Sequence, residues 1–468
     1  MVLAVLFACT GAASQDPADA PDPVADDQAH VELPYGAVVK TTIPFTGEPG
    51  ATLAVRVTWN PQAPPRYEDG RPVILLARGS LGAGRFLTGR SMTPWVQAGF
   101  VLVEMLLPGG TDDGQTSTGT FDTRGPLGQL ALAEVANWGA GATTDSTGRR
   151  ITELVPDALP WLGLVGMSAG VNLTFGALGR DPAFTPGVRF VVAWEGPFTD
   201  QFVNVEFESP EFRLNPAHVL GSCGDTTCDM PDLPAMLAFD ADAVGYTEAP
   251  LGADRVELEG LFYIDENADG AYTHPEYSWH MIADAGTLGA VVTTPSVELS
   301  TMIDAQADRL FVDGARPSWL PSTSWLAEFW SERDASLAIP DLARARPDLP
   351  IIIAASRKDH IYIGVPDSPH IRSLTHFLQA EGFAFVRLNP DASYLAPMAD
   401  VAPDALPDNA AGTCPTWPDT PEWLEPEIGE GVLDRYAATA AALELADRVH
   451  EDNFAPNLAQ PLFEVPVP

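Results

Sequence analysis

The sequence contains few basic residues for its length. Its 468 residues include 25 Lys and Arg against 64 Asp and Glu, which gives a formal net charge of −39 at pH 7. A surface this negative repels phosphate backbones and anionic lipid headgroups. We therefore expect no nucleic acid partner and no binding to a membrane surface through charge.

Cysteine and long apolar runs are also scarce. After the N-terminal segment, no apolar run reaches the roughly 20 residues that a membrane-spanning helix needs. Among the 4 cysteines, Cys223 and Cys228 are close enough in sequence for a local disulfide, which would leave Cys414 unpaired. A zinc site is not indicated, because no second pair of Cys or His lies nearby at ligand spacing.

The first residues indicate export. An apolar stretch from Val2 to Ala8 precedes Cys9, after which Ser, Asp, Pro and Ala dominate. This pattern resembles the lipobox of bacterial lipoproteins, in which the cysteine is lipidated and becomes the first mature residue. No Lys or Arg precedes the stretch and Phe7 is bulky for its position, so an ordinary secretory signal is the alternative. We expect residues 1–30 to be a signal and tether, with membrane attachment only through Cys9.

The apolar patterning predicts an α/β fold. Continuously apolar runs such as PVILLARG, GFVLVEMLLPG and VRFVVAWEGP are typical of strands covered on both faces. Helical patterns alternate with them, which predicts a mostly parallel central sheet flanked by helices. The alternation stops at Phe198 and resumes near Leu349. We interpret residues 198–345 as an inserted cap between two parts of one core, 31–197 and 346–468.

A serine between two glycines is the sharpest catalytic signal. The stretch GMSAG, with Ser168 at its centre, lies between the apolar run WLGLVG and a helical pattern that begins at Val171. Glycines on both flanks permit a tight strand-to-helix turn, which presents the serine hydroxyl at the N-terminus of the helix. There the N–H of Ala169 and the helix dipole can stabilise an oxyanion. A small-residue turn that only packs helix on strand is the alternative.

This arrangement resembles the α/β-hydrolase superfamily over roughly residues 35–200 and 345–450. The resemblance implies that Ser168 is the nucleophile, and that the N–H of Ser80 joins that of Ala169 in binding the oxyanion. Ser80 lies in the Gly-rich loop ARGSLGAGRF. That loop lacks the Lys-Ser/Thr ending of a phosphate-binding loop, so nucleotide binding is not indicated.

The resemblance also implies an acid and a histidine. Asp359, at the end of IIIAASRKD, holds the position where the superfamily usually carries its acid, and Glu195 in VVAWEGP is the alternative. The histidine is expected just beyond the last strand, in VRLNPDASYLAP, but Tyr394 stands there instead. We expect His360, in a loop at the catalytic edge of the sheet, to be the base.

The other histidines are less suited to this role. Between His376 and His450 the sequence has none, and His450 lies at the far end of the last predicted helix, which would leave it on the wrong side of the sheet. His370 and His376 are expected on a surface helix, facing solvent. His274 and His280 belong to the insertion and could hang over the site from the cap.

A second motif lies in the insertion. In DENADGAYTHPE, Asp265, Asn267 and Asp269 hold positions one, three and five of an EF-hand calcium loop, with Gly at six and Glu276 at twelve. Alternate side chains turn their oxygens inward, and Ala271 would offer its carbonyl oxygen at position seven. The preceding run VELEGLFYI reads as a strand, so we expect a lone structural calcium site rather than a paired EF-hand. An acidic turn is the alternative.

Together these features predict an exported serine hydrolase. We expect it to act on a small or polymeric carboxylic ester through an acyl-enzyme on Ser168, with no catalytic cofactor. No sequence feature names the substrate, and peptidase or lipase activity stays open because specificity would lie in the cap. The missing histidine motivates the alternative of a catalytically impaired protein that serves as a surface binding or scaffold protein.

Overall fold

The structure is a computed structural model. It describes residues 36–78, 83–87, 89–199, 236–246, 257–274, 276–279, 297–311, 316–355, 369–391, 394 and 434–454. Within these ranges, none of the helices combines the length and the apolar character that crossing a membrane requires.

The described residues contain strands of very different lengths. In chain order they are β1 (Ala37–Phe45), β2 (Ala51–Trp59), β3 (Arg71–Ala77), β4 (Val101–Met105), β5 (Thr111–Asp112), β6 (Gln115–Thr116), β7 (Ala158–Met167), β8 (Val188–Trp194), β9 (Leu237–Tyr246), β10 (Glu257–Ile264), β11 (Ser278–Trp279), β12 (Ile351–Ala354) and β13 (Val386–Leu388).

An eight-stranded sheet forms the centre of the molecule, in the order β1-β2-β4-β3-β7-β8-β12-β13. β2 pairs antiparallel with β1 and with β4. From β4 to β13, every neighbouring pair is parallel. All residues of β3 and β4 are buried, because helices cover both faces of the sheet. The predicted α/β fold with a mostly parallel central sheet is confirmed.

Two groups of helices cover the two faces. The helices Gly89–Gln97 and Asp434–Glu451 share one hydrophobic core with strand residues such as Ile74 and Phe190. The helices on the opposite face share the larger core; they are Pro126–Gly139, Gly170–Arg180, Ile339–Ala345 and Pro369–Ala380. Shorter or separate helical segments are Ile151–Leu154, Val297–Ala305, Ala307–Leu310, Thr323–Ser331 and the 3₁₀ turn Ala335–Leu337.

The parallel strands give the sheet two different edges. Because they all run in the same direction, β7, β8 and β12 end side by side, at Met167, Trp194 and Ala354. We call this the carboxyl edge, and we call the opposite edge, where β3 begins at Arg71, the amino edge. Ligand sites in open α/β sheets lie outside the carboxyl ends of the strands.

The described part of the predicted insertion contains a second, smaller sheet. β9, β10 and β11 pair antiparallel in the order β11-β10-β9. This sheet has its own hydrophobic core, in which Phe262 and Tyr277 pack against helix and loop residues such as Ile303 and Trp319. The chain has returned to the main core by Ala335. The domain boundaries themselves stay predictions.

Candidate active site

Ser168 lies on a sharp turn at the carboxyl edge. β7 ends at Met167 and the helix begins at Gly170, so only two residues join them. Ser168 has a φ of 56°, in the left-handed region that side chains rarely adopt. Its N–H donates to the carbonyl of Trp194 at 2.9 Å, and its carbonyl accepts from Val171 at 2.8 Å. These bonds hold the strained conformation that the sequence motif predicts.

Close backbone contacts explain the two glycines of the motif. A Cβ atom at Gly166 would lie 2.7 Å from the carbonyl oxygen of Gly170. A Cβ atom at Gly170 would lie only 2.0 Å from the carbonyl oxygen of Ala77, the last residue of β3. Since real Cβ atoms do not approach a backbone oxygen so closely, any larger residue would push the helix away from the sheet.

The predicted oxyanion donors are only partly described. Ala169 is the N-cap residue of the helix Gly170–Arg180, with φ −55° and ψ −11°. The first N–H groups of a helix have no acceptor inside it, and the helix dipole makes that end favourable for negative charge. The N–H of Ala169 therefore fits an oxyanion beside Ser168. The second predicted donor, Ser80, lies outside the described residues.

A buried ion pair holds the described end of the loop that contains Ser80. Arg56 on β2 and Glu104 on β4 are 6% and 1% exposed, and a guanidinium nitrogen of Arg56 lies 2.6 Å from a carboxylate oxygen of Glu104. The other oxygen of Glu104 accepts the Leu87 N–H at 2.6 Å, while Arg56 donates to the Leu87 carbonyl at 2.6 Å. Burial raises the pKa of Glu104, and the charge of Arg56 opposes that rise.

Sequence reasoning missed this pair, although a signal for it exists. Glu104 is the single charged residue of the predicted strand GFVLVEMLLPG, and Arg56 is the single charged residue of ATLAVRVTW, the mostly apolar run that forms β2. A charge inside a buried strand requires a partner, because an unpaired buried charge is costly. That argument could have paired the two residues across neighbouring strands.

The preferred acid and base both fall on a segment that the structure does not describe. Asp359 and His360 lie outside the described residues, which end at Ala355 and resume at Pro369. β12 ends at Ala354, opposite Trp194 of β8. The chain therefore enters the segment that contains Asp359 and His360 at the same edge as Ser168. The roles of the two residues stay predictions.

The alternative acid, Glu195, is buried next to the serine turn. It is 0% exposed and has a φ of 41°. Its N–H donates to the carbonyl of Ala354 at 2.9 Å. A Cβ atom at the following residue, Gly196, would lie 2.2 Å from the carbonyl oxygen of Ser168. The chain after β8 therefore packs directly against the serine turn.

Tyr394, at the place expected for the histidine, interacts with the last helix. Its hydroxyl hydrogen-bonds Asp447, and burial together with the charge of Asp447 raises the pKa of Tyr394 to about 12. Asp447 also accepts two hydrogen bonds, of 2.8 and 2.6 Å, from Arg66, which precedes β3. The Tyr394 hydroxyl is therefore engaged by the last helix, and a phenol with this pKa stays protonated at neutral pH.

His450 also lies at the amino edge. Its ring stacks on Tyr67 with 3.8 Å between ring centroids, and its Nε2 lies 3.0 Å from Asp69. Tyr67 and Asp69 directly precede β3, so the whole sheet separates His450 from Ser168. The sequence-based argument against His450 agrees with this placement.

The expectation that His370 faces solvent is wrong. His370 is 0% exposed, in the first turn of the helix Pro369–Ala380, and His376 is partly buried. Ser373 and Thr375 are also 0% exposed, so this helix is covered on more sides than an amphipathic surface helix would be. Since the helix connects the end of β12 to the start of the parallel strand β13, it begins near the carboxyl edge.

Of the insertion histidines, His274 is exposed and His280 lies outside the described residues.

In the predicted calcium loop, the side-chain oxygens accept hydrogen bonds from backbone N–H groups of the same loop. Asp265 accepts from the N–H groups of Asp269 and Gly270, both at 3.1 Å. Asn267 accepts from Asp269 at 2.8 Å, and Glu276 accepts from Glu266 at 3.0 Å. In the described part of the chain, no three His, Cys, Asp or Glu side chains already converge as a set of metal ligands. The loop oxygens accept backbone N–H groups instead.

The strand order, the antiparallel second strand and the serine turn after β7 define the α/β-hydrolase fold. No family model and no curated protein matches the sequence. The chain is similar to several solved structures. With the acylaminoacyl peptidase of Pyrococcus horikoshii it shares 10% identity over 76% of this chain and 37% of the peptidase, with a TM-score of 0.37. The chain thus spans little more than a third of that protein.

Two esterases have a similarly low sequence identity and TM-score to this chain. Brefeldin A esterase, a bacterial homologue of human hormone-sensitive lipase, is 10% identical over 83% of this chain and 77% of its own, with a TM-score of 0.35. A thermostable carboxyl esterase from Bacillus coagulans is 12% identical over 75% of this chain and 89% of its own, with a TM-score of 0.33. Likeness at this level says nothing about the chemistry at Ser168.

Proposed function

We propose that this protein is a serine hydrolase that cleaves carboxylic esters through an acyl-enzyme on Ser168. The observation that carries the proposal is the left-handed conformation of Ser168, with a φ of 56°, between a buried strand and a helix N-terminus. Strain of this kind is kept where the surrounding structure enforces it, and it occurs preferentially at active sites. A turn that only packs helix on strand has no need for a strained serine.

In the proposed reaction the Ser168 oxygen attacks the ester carbonyl while a base takes the hydroxyl proton. The carbonyl oxygen becomes an oxyanion, which the N–H groups of Ala169 and Ser80 would hold. The base returns the proton to the alcohol oxygen as the ester C–O bond breaks and the alcohol leaves. Water then attacks the acyl group, and the acid product leaves Ser168 free again.

For the acid and base we propose Asp359 and His360. The chain enters the segment that contains them at the carboxyl edge, beside the serine turn. Glu195 and His370 are the alternatives, because both are buried and belong to elements that reach this edge. A buried carboxylate next to an imidazole would fix the tautomer that accepts the serine proton.

We also propose that the protein is exported, either as a lipoprotein anchored at Cys9 or through an ordinary signal peptide. The apolar stretch before Cys9 and the Asp- and Pro-rich segment after it support this proposal. A small or polymeric ester outside the cell would be its substrate, while peptidase and lipase activity stay open.

A fluorophosphonate probe tests the nucleophile. We expect the wild-type protein to be labelled on Ser168 and to hydrolyse a p-nitrophenyl ester. Ser168→Ala should abolish labelling and lower kcat by about a thousandfold or more. Ser146→Ala, at an exposed serine in a distant turn, is the matched control and should keep both. Absence of labelling in the wild type, or equal labelling of Ser168→Ala, would contradict the proposal.

One observation favours a second function. Tyr394 stands at the usual histidine position, and its hydroxyl hydrogen-bonds Asp447. A protein that lacks the base would serve as a surface binding or scaffold protein. In that case the wild type and Ser168→Ala would hydrolyse the ester at the same rate, no faster than buffer.

A further inference from the structure

Four carboxylates lie around a buried tyrosine hydroxyl in the small sheet. Tyr263 on β10 is 0% exposed, and its hydroxyl has no hydrogen-bond partner within the described chain. Tyr263 lies two residues before the loop motif, and the carboxylates of Asp265, Asp240, Glu276 and Asp269 are near enough to interact with it electrostatically. Buried polar atoms are nearly always satisfied, so a bare hydroxyl beside four carboxylates points to a missing partner.

One of the four carboxylates, Asp240, lies outside the loop motif. It belongs to β9, and its Oδ2 accepts the N–H of Tyr272 in the loop at 2.9 Å. Its Oδ1 accepts from Asp242 at 2.9 Å, which fixes the carboxylate from its own strand. The ring of Tyr272 also packs against Tyr263, with 5.7 Å between the centroids. Asp240 therefore joins the loop to the neighbouring strand.

No basic side chain in the described part of the chain neutralises the charge of this cluster. None of the four carboxylates forms an ion pair with a Lys, Arg or His side chain that the structure describes. Like charges at close range repel one another, and the repulsion is strongest where part of the cluster is buried. Glu276 is 8% exposed and Tyr263 is fully buried. A divalent cation would remove the repulsion and would satisfy the hydroxyl through an oxygen of its coordination sphere.

We propose that Asp240 and the loop Asp265–Glu276 together bind one Ca²⁺ ion. The side chains of Asp265, Asn267, Asp269 and Glu276 and the carbonyl oxygen of Ala271 would supply the oxygens of the motif, and Asp240 a carboxylate from β9. Each carboxylate oxygen has two lone pairs, so it can accept a hydrogen bond from a backbone N–H and also coordinate the ion. Flexible sets of many oxygens favour Ca²⁺ over Mg²⁺.

The proposed ion ties the loop to β9, and therefore stabilises the small sheet. It is independent of the proposed reaction at Ser168, because none of these residues belongs to the carboxyl edge of the central sheet. Since the ion binds the folded chain, it should raise the melting temperature by mass action.

Calorimetric titration of CaCl₂ into the chelator-treated full chain tests the proposal. We expect one ion per chain, a higher melting temperature with calcium, and no comparable heat from MgCl₂. Asp265→Asn should abolish the binding, and Asp240→Asn should weaken it by about tenfold or more because it removes a charge. Asp242→Asn is the matched control: it removes one exposed charge from the same strand and should leave the affinity unchanged.

Glu276→Asp guards against variants that fail to fold. It keeps the charge but shortens a side chain that also accepts the Glu266 N–H, so it should weaken calcium binding while the chain still unfolds cooperatively in chelator, at a somewhat lower melting temperature than the wild type. Binding that survives Asp265→Asn, or that falls equally in Asp242→Asn, would reveal diffuse attraction to an acidic surface and overturn the site. Binding by Asp240→Asn equal to that of the wild type would overturn the role of Asp240.

Discussion

At the scale of single residues, three residues at the carboxyl edge have a strained backbone. Ser168, Glu195 and Asn389, each just beyond the end of a strand, have φ values of 56°, 41° and 55°. Asn389 is buried, and its side chain accepts the N–H of Ala355 at 2.9 Å. Each strained residue costs of order 1–3 kcal/mol, and is kept only where its neighbours enforce it. The carboxyl edge is therefore built to hold particular groups in place.

The pair Arg56–Glu104 gives a prediction at the same scale. Glu104→Leu leaves Arg56 buried without its main anion, so we expect a loss of about 3–5 kcal/mol in the free energy of unfolding. The double variant Arg56→Met with Glu104→Leu removes both charges and should lose clearly less than Glu104→Leu alone. Urea unfolding of the wild type, of the single variants Glu104→Leu and Arg56→Met, and of the double variant measures these losses.

Additivity decides whether the pair acts as a unit. If the double variant loses the sum of the two single losses, the two residues stabilise the fold independently and the argument from paired charges is wrong. Arg189→Met removes an exposed guanidinium from β8 and serves as the control for the loss of a positive charge.

At the scale of elements, a short turn shows how one carboxylate holds a loop. Asp145 is 2% exposed and accepts hydrogen bonds from the N–H groups of Thr147 and Arg149, both at 2.9 Å, and from the Thr41 hydroxyl at 2.8 Å. Burial alone would raise the pKa of Asp145, but the N–H of Arg149 and the other donors outweigh it and hold the pKa well below its usual value. The turn is therefore fastened to β1 through an ionised side chain.

This turn should make the protein sensitive to acid. Because the folded-state pKa of Asp145 is lower than the unfolded value of about 3.9, its stabilisation is present above that value and is lost as the pH falls through the folded-state pKa. Asp145→Asn should cost about 1–3 kcal/mol at pH 7. The difference from the wild type should shrink steadily as the pH is lowered from about 5 to about 2. If the difference in free energy of unfolding between the wild type and Asp145→Asn stays constant over this range, the ionised Asp145 is not the source of the acid sensitivity.

Elements whose signal is local could be predicted from the sequence. The buried strands follow from continuously apolar runs, and the serine turn from the glycines in GMSAG. The final helix follows from its Ala and Leu content and from its lack of interior Gly or Pro. The strand before the calcium motif was likewise predicted from its own residues, and it is β10. Such features depend on neighbours within a few positions, so a single sequence contains enough information.

Contacts between distant segments could not be predicted in this way. The placement of Tyr394 depends on Asp447, and the burial of His370 depends on how a crossover helix packs beneath its neighbours. The apolar periodicity of a helix or strand shows which of its faces is buried, but it does not show which other element packs against its remaining faces. Asp240 likewise meets the calcium loop only through the pairing of β9 with β10.

At the scale of the whole molecule, the amino edge joins the first and last parts of the core. Arg66 and Asp447 are 381 positions apart and form two hydrogen bonds, of 2.8 and 2.6 Å. Tyr67 donates to the same carboxylate at 2.8 Å. The two predicted core segments, separated by the insertion, are thus fastened into one unit at the edge opposite Ser168.

Net charge leads to a prediction for the whole molecule. With a formal charge of −39 at pH 7, the folded chain repels itself, and unfolding moves the charges apart. Raising NaCl from about 10 mM to about 1 M shortens the screening length from about 30 Å to about 3 Å. In the presence of chelator, so that calcium plays no part, we expect the melting temperature at pH 7 to rise along this series.

The same salt series near the isoelectric point separates charge screening from other salt effects. The sequence pI is about 4.2, so the net charge is close to zero there and little repulsion remains to be screened. The melting temperature should then respond weakly to NaCl. An equal rise at both pH values would mean that salt acts by strengthening apolar burial, and that self-repulsion is not what limits the stability of this chain.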